Sequence, residues 1–179
     1  MEKLSLEALN RISPEEFAAA QKTPMVAVLD NIRSMNNVGS VFRTMDAFAG
    51  EKIILCGITA TPPHREINKT ALGAEETVAW QYENDITNAL QELKSNGYVI
   101  VGVEQTTQSI SLLHFKPDNS KKYAFVLGNE VFGISDEALP FLDIAVEIPQ
   151  FGTKHSLNVS VAAGIVLWDF LSKIHTINE

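Results

Sequence analysis

The stretch Met25-Val26-Ala27-Val28-Leu29-Asp30 is an unbroken apolar run closed by an aspartate. A strand with one face in water alternates apolar and polar residues, so a continuous run of this length reads as a strand buried on both faces. A polar loop follows, and from about Val38 to Phe48 the pattern becomes helical, which makes this region a βα unit. Working outward, Lys52 to Gly57 predicts a second strand and Pro62-Pro63 breaks the chain. Strand-like runs recur at Thr77 to Tyr82, Tyr98 to Val103, Tyr123 to Leu127 and Ile144 to Ile148, with helical patterns between most of them. Short apolar strands alternating with helices predict the α/β class, a mostly parallel sheet with helices on both faces. Ligands then belong at the carboxyl ends of the strands. The last helix, about Leu157 to Ile174, carries Leu157, Val161, Ala162, Ile165 and Trp168 on one stripe, expected to pack on the sheet. Ahead of the first strand, residues 1–24 predict a helical lead-in. There Ser13-Pro14-Glu15-Glu16 offers an N-cap serine, proline at the first helical position and glutamate three after the cap. Residues 25–179 form the main domain, with one turn signal at Pro117-Asp118-Asn119-Ser120.

The 179-residue chain fits one domain and buries enough surface to need neither metal nor disulfide for its core. No apolar run approaches the roughly 20 residues that span a bilayer, and Met1-Glu2-Lys3-Leu4-Ser5 lacks the features of a secretory signal. A single cysteine, Cys56, forms no internal disulfide, so a reducing cytoplasm is expected. Cys56 ends the run Ile53-Ile54-Leu55 and reads as a buried strand thiol rather than a nucleophile. The formal net charge is −8. Proteins that bind polyanions usually show a basic face, because counterion release supplies much of the affinity. No Lys/Arg run occurs here, so any nucleic-acid contact must come from a few local cations.

Three loops hold polar residues that packing does not require. In the first, Asn36-Asn37-Val38-Gly39 precedes a helix whose early turns carry Arg43; such a turn exposes N–H groups to a phosphate or ribose edge, or is only a turn. The second is Leu127-Gly128-Asn129-Glu130-Val131-Phe132-Gly133, directly after a strand. Ile134-Ser135 stands where a phosphate loop needs Lys then Ser or Thr, which excludes that reading, and the chain contains no G-x-G-x-x-G. What remains is a glycine that admits close backbone approach, with Glu130 either an acceptor or a solvated turn residue. The third loop runs from Pro149 through Ser156 and Asn158 into the last helix, where Ser156 can serve simply as the N-cap; His155 is read as solvated.

Taken together the loops resemble the three motifs of the SpoU family of the SPOUT methyltransferase superfamily. Asn37-x-Gly39-x-x-x-Arg43-Thr44-x-Asp46-Ala47 resembles the first motif and Leu127-Gly128-Asn129-Glu130-x-x-Gly133 the second. Ile148-Pro149 followed by Ser156-Leu157-Asn158-Val159-Ser160 resembles the third. Order, spacing and content all agree, and the similarity runs from about Met25 to Phe170. Lys69-Thr70-Ala71-Leu72-Gly73-Ala74 is similar to the family's variable middle.

The resemblance implies a C-terminal deep trefoil knot, which strand patterning gives no hint of and topology rules treat as an exception. It also implies a homodimer, S-adenosyl-L-methionine as cofactor, no metal, and RNA (tRNA or rRNA) as the substrate methylated at a ribose 2'-hydroxyl. The implied cofactor contacts are Leu127, Gly128, Ile148 and Leu157, with Val103 and Glu104 at another strand end. The implied catalytic set is Arg43, Asn37, Glu130, Ser156 and Asn158. A guanidinium has a pKa of roughly 12.5 to 13.8, so Arg43 is read as a cation that holds the adjacent phosphate and steadies the developing alkoxide, not as a base. Asn37, Ser156 and Asn158 would position arginine and ribose, and Glu130 would anchor the loop or Asn37. Arg33, Arg43, Arg65 and Lys154 are expected to form a small basic pocket, so that RNA binding is weak and salt-sensitive. Two rival readings are a non-catalytic RNA-binding or assembly protein with the same fold, and a small-molecule methyltransferase.

Overall fold

The computed structural model describes residues 1, 3–5 and 12–176. The elements are α1 (Pro14–Ala19), β1 (Thr23–Asp30), α2 (Met35–Ala47), β2 (Gly50–Cys56), α3 (Arg65–Ala71), α4 (Ala74–Thr77) and β3 (Trp80–Glu83). They continue with α5 (Ile86–Ser95), β4 (Tyr98–Val103), β5 (Ile110–Ser111), β6 (Lys122–Leu127), β7 (Ile144–Glu147) and α6 (Val159–Thr176). All seven strands pair in parallel in the order β3-β2-β1-β6-β4-β7-β5.

The apolar run that decided the fold class lies mid-sheet. Val26 to Asp30 pair with Lys52 to Cys56 on one side, and Met25 to Leu29 with Tyr123 to Leu127 on the other. Side chains alternate across a strand, so Met25, Ala27 and Leu29 join one core, together with α2, α3 and the inner face of α6. Val26 and Val28 join a second core with Ala89, Leu90 and Leu93 of α5. Phe17 of α1 is buried in the first core, and the Ser13 capping box is present with Glu16. Residues 6–11 of the expected lead-in lie outside the described residues. Cys56 is buried beside Asp30, and burial first, then the charges of Asp30, Glu83 and Asp85, push its thiol up to about 12, so it is not poised to react.

Several expectations are corrected. Helix α2 begins at Met35, capped by Ser34, whose hydroxyl accepts from the Asn37 N–H, so the Asn36-Asn37-Val38-Gly39 stretch is the first turn of the helix and not a loop before it. The run at 77–82 splits into the end of α4 and strand β3, which starts at Trp80. The largest correction concerns α6. Its buried face is Val159, Ala163, Val166, Leu167 and Phe170, whereas Val161, Ile165 and Trp168 are 49%, 38% and 58% exposed. The helix is apolar around most of its circumference, so its periodicity defines two candidate faces and cannot choose between them. Among the described residues, no helix is long and apolar enough to cross a membrane.

Gly39 shows how tightly α2 and α3 meet: a Cβ there would run into the Ile67 carbonyl oxygen and the Thr70 hydroxyl. Gly39→Ala therefore sets a helix-propensity gain of up to about 1 kcal/mol against overpacking of about 1–3 kcal/mol. Because one obstacle is backbone, overpacking wins. Urea denaturation is expected to show a net loss of about 1–2 kcal/mol; an unchanged or raised midpoint would mean the helices part freely.

Candidate active site

The carboxyl ends of β1, β6, β4 and β7 lie side by side, and the loops after β4, β6 and β7 line a cavity of about 780 Å³, within the range of small-molecule sites. Its walls come from residues 103–107 after β4, 127–134 after β6, 147–150 at the end of β7 and 156–159 entering α6, with Leu139 and Ala162 completing it.

One carboxylate organises the mouth. Glu130 Oε1 accepts from the Ser34 N–H (3.0 Å) and from Asn37 Nδ2 (2.9 Å), while Oε2 accepts from the Arg33 N–H (2.9 Å). The same Asn37 then presents Oδ1 to Asn158 Nδ2 at 3.1 Å. Asn158 Oδ1 in turn accepts from the N–H groups of Ser160 and Val161, so it caps α6. Asn158, not Ser156, is therefore the N-cap. The chain Glu130–Asn37–Asn158 joins the loop after β6, the helix after β1 and the start of α6. Partial burial pushes the Glu130 carboxyl up, but the donors from Arg33, Ser34 and Asn37 outweigh it and hold the group below its ordinary value of 4.5.

A second set of bonds fixes the loop after β6. Asn129 Nδ2 donates to the Asn31 carbonyl (2.6 Å), and Asn129 and Gly133 exchange N–H···O bonds of 2.9 Å in both directions. Glu104 Oε2 accepts from the Ile134 N–H (3.0 Å), and its Oε1 from the Gln105 N–H (2.9 Å). Asp30 Oδ2 accepts from the Ser135 N–H at 2.7 Å. At Gly128 a Cβ would strike the backbone of Gly133 and Ile134, so the loop folds back on itself only because this residue has no side chain.

Of the residues named from the sequence, Leu127, Gly128, Ile148, Leu157, Val103 and Glu104 all line the cavity, as do Glu130, Ser156 and Asn158. Asn37 is buried behind the wall and reaches the cavity through its two hydrogen bonds. Arg43 does not line it. Six residues further along α2, about 9 Å at 1.5 Å per residue, its side chain is exposed and makes no ion pair or hydrogen bond with the described residues. Arg33, Arg65 and Lys154 are likewise exposed, and none forms an ion pair with the described residues. Sequence reasoning missed Gln105, Thr106, Thr107, Glu147 and Gln150 in the wall. The signal for the first three was a polar cluster directly after the strand ending at Val103, where the strand-end rule applies. Gln105 Nε2 also donates to the His155 carbonyl (3.0 Å), linking two walls; His155 contributes backbone to that contact.

The model of the SpoU rRNA Methylase family matches residues 24–168, which contain all three loops. The chain belongs to the SpoU rRNA methylase family. It is 36% identical over 145 residues to the 23S rRNA (guanosine-2'-O-)-methyltransferase RlmB of Neisseria meningitidis, covering 80% of this chain and 56% of that protein. It is 28% identical over 178 residues to a putative TrmH family tRNA/rRNA methyltransferase of Staphylococcus saprophyticus, covering 94% of this chain and 70% of the relative. This SpoU chain thus spans little more than half of the Neisseria protein. Among solved structures, the AdoMet-bound rRNA methyltransferase from Sinorhizobium meliloti matches with 26% identity and a TM-score of 0.77, covering 91% of this chain and 61% of that one. The A. aeolicus TrmH/SpoU tRNA modifying enzyme matches in fold with a TM-score of 0.81 at 23% identity, covering 92% and 84%.

The ionised Glu130 stabilises this SpoU fold through its three donors. Because its folded pKa is depressed, that stabilisation is complete above the ordinary glutamate range and fades as pH falls through the lowered value. Glu130→Gln turns an acceptor into an amide that faces an N–H group, and thermal melts near pH 7 are expected to show a loss of about 1 kcal/mol or more. As pH falls through the lowered value the gap between variant and parent should narrow. A gap that stayed constant with pH would rule out the carboxylate as the organising charge.

Proposed function

We propose that the chain transfers the methyl group of S-adenosyl-L-methionine to a ribose 2'-hydroxyl of tRNA or rRNA. The observation that carries this reading is the Glu130–Asn37–Asn158 chain of hydrogen bonds, which ties three separated motifs together beside one cavity at the strand ends. The donor suits the cavity on three counts: the volume, the close backbone fold at Gly128, and the carboxylates of Glu104, Glu130 and Glu147 in the wall, which complement a cation. Leu127, Gly128, Ile148 and Leu157 would hold it, with Val103 and Glu104 at the end of β4. When bound it supplies an electrophilic methyl on a positively charged sulfur.

The residues of the chain do the rest. In-line transfer requires the ribose oxygen to be aimed, deprotonated and shielded from water. Arg43 is free to grip an incoming phosphate because no acidic side chain among the described residues occupies it. As a permanent cation it steadies the alkoxide, and the proton leaves to a phosphate oxygen or water. Asn37 and Asn158, fixed by each other, set the ribose side of the mouth, with Ser156 beside them.

The same reading includes a deep trefoil knot. It is supported by the insertion of β6 between β1 and β4 and of β7 between β4 and β5, so that late strands enter between earlier ones. It includes a domain at 25–179 with α1 as a packed lead-in, and a cytoplasmic setting suited to an unpaired thiol and an RNA substrate. It also includes a homodimer. Val161, Ile165 and Trp168 on the outer face of α6 line an apolar groove with Leu112, Leu113, Ile148 and Pro149, a contiguous surface of the kind a second copy covers.

Incubating the chain and labelled S-adenosyl-L-methionine with total tRNA, rRNA and a metabolite pool tests the reading. Label is expected on RNA ribose; label in metabolites alone favours a small-molecule enzyme, and label nowhere a binding protein. Arg43→Ala is expected to lower transfer by at least about a hundredfold, the scale of losing one charge-stabilising donor, with cofactor affinity by calorimetry within a few fold. Near-normal turnover would remove Arg43 from the mechanism. Trp168→Glu is expected to shift sedimentation from dimer to monomer, and a variant that stays dimeric would move the interface off α6.

A further inference from the structure

Phe132 is 84% exposed at the lip of the cavity, on a turn held by several hydrogen bonds. Asn129 and Gly133 close the turn with a reciprocal pair of backbone hydrogen bonds. Inside it, Asn129 Oδ1 accepts from the N–H groups of Val131 (2.9 Å) and Phe132 (3.2 Å). Gly133 has φ +73°, a left-handed conformation that suits glycine and lets the chain turn back under Phe132. The neighbouring Glu130 is bonded to three donors, so the whole tip is pinned to the active-site frame. An apolar ring held outward on a rigid tip is already in its binding conformation and loses little freedom when a ligand meets it.

The chemistry of the occupant follows from the surroundings. The ring stands at the mouth through which a methyl acceptor must enter. A second copy is a poor occupant: the apolar surface continues through Val131, 62% exposed, and the half-turned Leu139 and Leu157, each 39% exposed, in the same wall, a few side chains where a stable interface needs about 800 Å² from each partner. The chain carries a net charge of −8, so phosphate attraction is scarce, whereas a flat aromatic face attracts any nucleobase without charge.

We propose that Phe132 is a stacking platform for an unpaired base next to the methylated nucleotide, which restricts the substrate to single-stranded or looped RNA. The inference rests on the methyltransferase reading above and deepens it. Phe132 acts as a positioning residue: it holds the base so that the neighbouring ribose faces the cavity.

The experiment measures methyl transfer to unfractionated tRNA and to rRNA fragments by the parent, Phe132→Ala and Phe132→Trp. Phe132→Ala is expected to raise KM for RNA by about tenfold or more, the scale of removing one base–aromatic stack. The affinity for S-adenosyl-L-methionine by calorimetry should stay within about twofold, since a stack on RNA leaves donor binding alone. The loss should be equal at low and high salt, because a stack releases no counterions. Phe132→Trp is expected to restore KM and to show tryptophan emission quenched by RNA beyond that of the parent. Unchanged KM in Phe132→Ala would overturn the proposal. An equal loss of donor affinity would make the ring a cofactor lid, and a change in sedimentation would make it an interface residue; both overturn it. If the parent transfers no label to RNA, the underlying reading fails and takes the proposal with it; normal transfer by Phe132→Ala sinks the proposal alone.

Discussion

The carboxylate of Glu130 accepts three N–H donors that come from the loop and helix after the first strand, 93 to 97 residues away in sequence. Through Asn37 this carboxylate also ties the loop after β6 to the start of the last helix. Asn37 is its hinge: one amide donates to Glu130 and accepts from Asn158, which itself caps the final helix. Charge-assisted bonds of this kind are stronger than neutral ones, and a network whose members are all paired holds one geometry. The shape of the mouth is thus set by three short polar side chains, while the parallel sheet beneath supplies a rigid floor.

A division of labour follows among the acidic residues. Glu104 and Asp30 spend their carboxylates on backbone N–H groups of Ile134 and Ser135, so they shape the loop after β6. Glu147 accepts from the Ser109 hydroxyl and steadies the strand end. The carboxylates of Glu104, Glu130 and Glu147 stand in the cavity wall, an arrangement that complements a cationic ligand. The exposed cations Arg33, Arg43, Arg65 and Lys154 lie outside the wall. Arg65 opens α3, which presses on α2 at Gly39, so the arginines of these two helices are carried by one packed unit.

Much of the fold was legible because it follows from burial. Met25 to Leu29 reads as a strand covered on both faces, and the repeat of such runs argues for a mostly parallel sheet with its site at the carboxyl ends. Residues 127–133 and 149–158 stand out as polar loops after strands. Other features depend on tertiary contacts that periodicity does not encode. The outer face of α6 looks as apolar as the inner one, so Val161, Ile165 and Trp168 were assigned to the core they turn away from. Asn36 and Asn37 carry turn propensity, yet the Ser34 cap and the Glu130 contact draw them into the first turn of α2. The link from Asn37 to Asn158 spans 121 residues, and no local pattern announces a pair so distant. Gln105 to Thr107 were readable from the strand-end rule alone. Strand order is equally invisible in the sequence, because β6 enters beside β1 for reasons of the whole sheet.

The hydrogen bonds of Glu130, Asn37 and Asn158 hold the loops after β6 and before α6 in the shape that would receive the methyl donor. A crystal structure of the chain with S-adenosyl-L-methionine bound tests this most directly. The donor is expected in the cavity between residues 103–107, 127–134, 147–148 and 156–159, with the Glu130–Asn37–Asn158 bonds retained. A donor bound at any other place on the molecule, or a pocket that forms only after those bonds break, would contradict it.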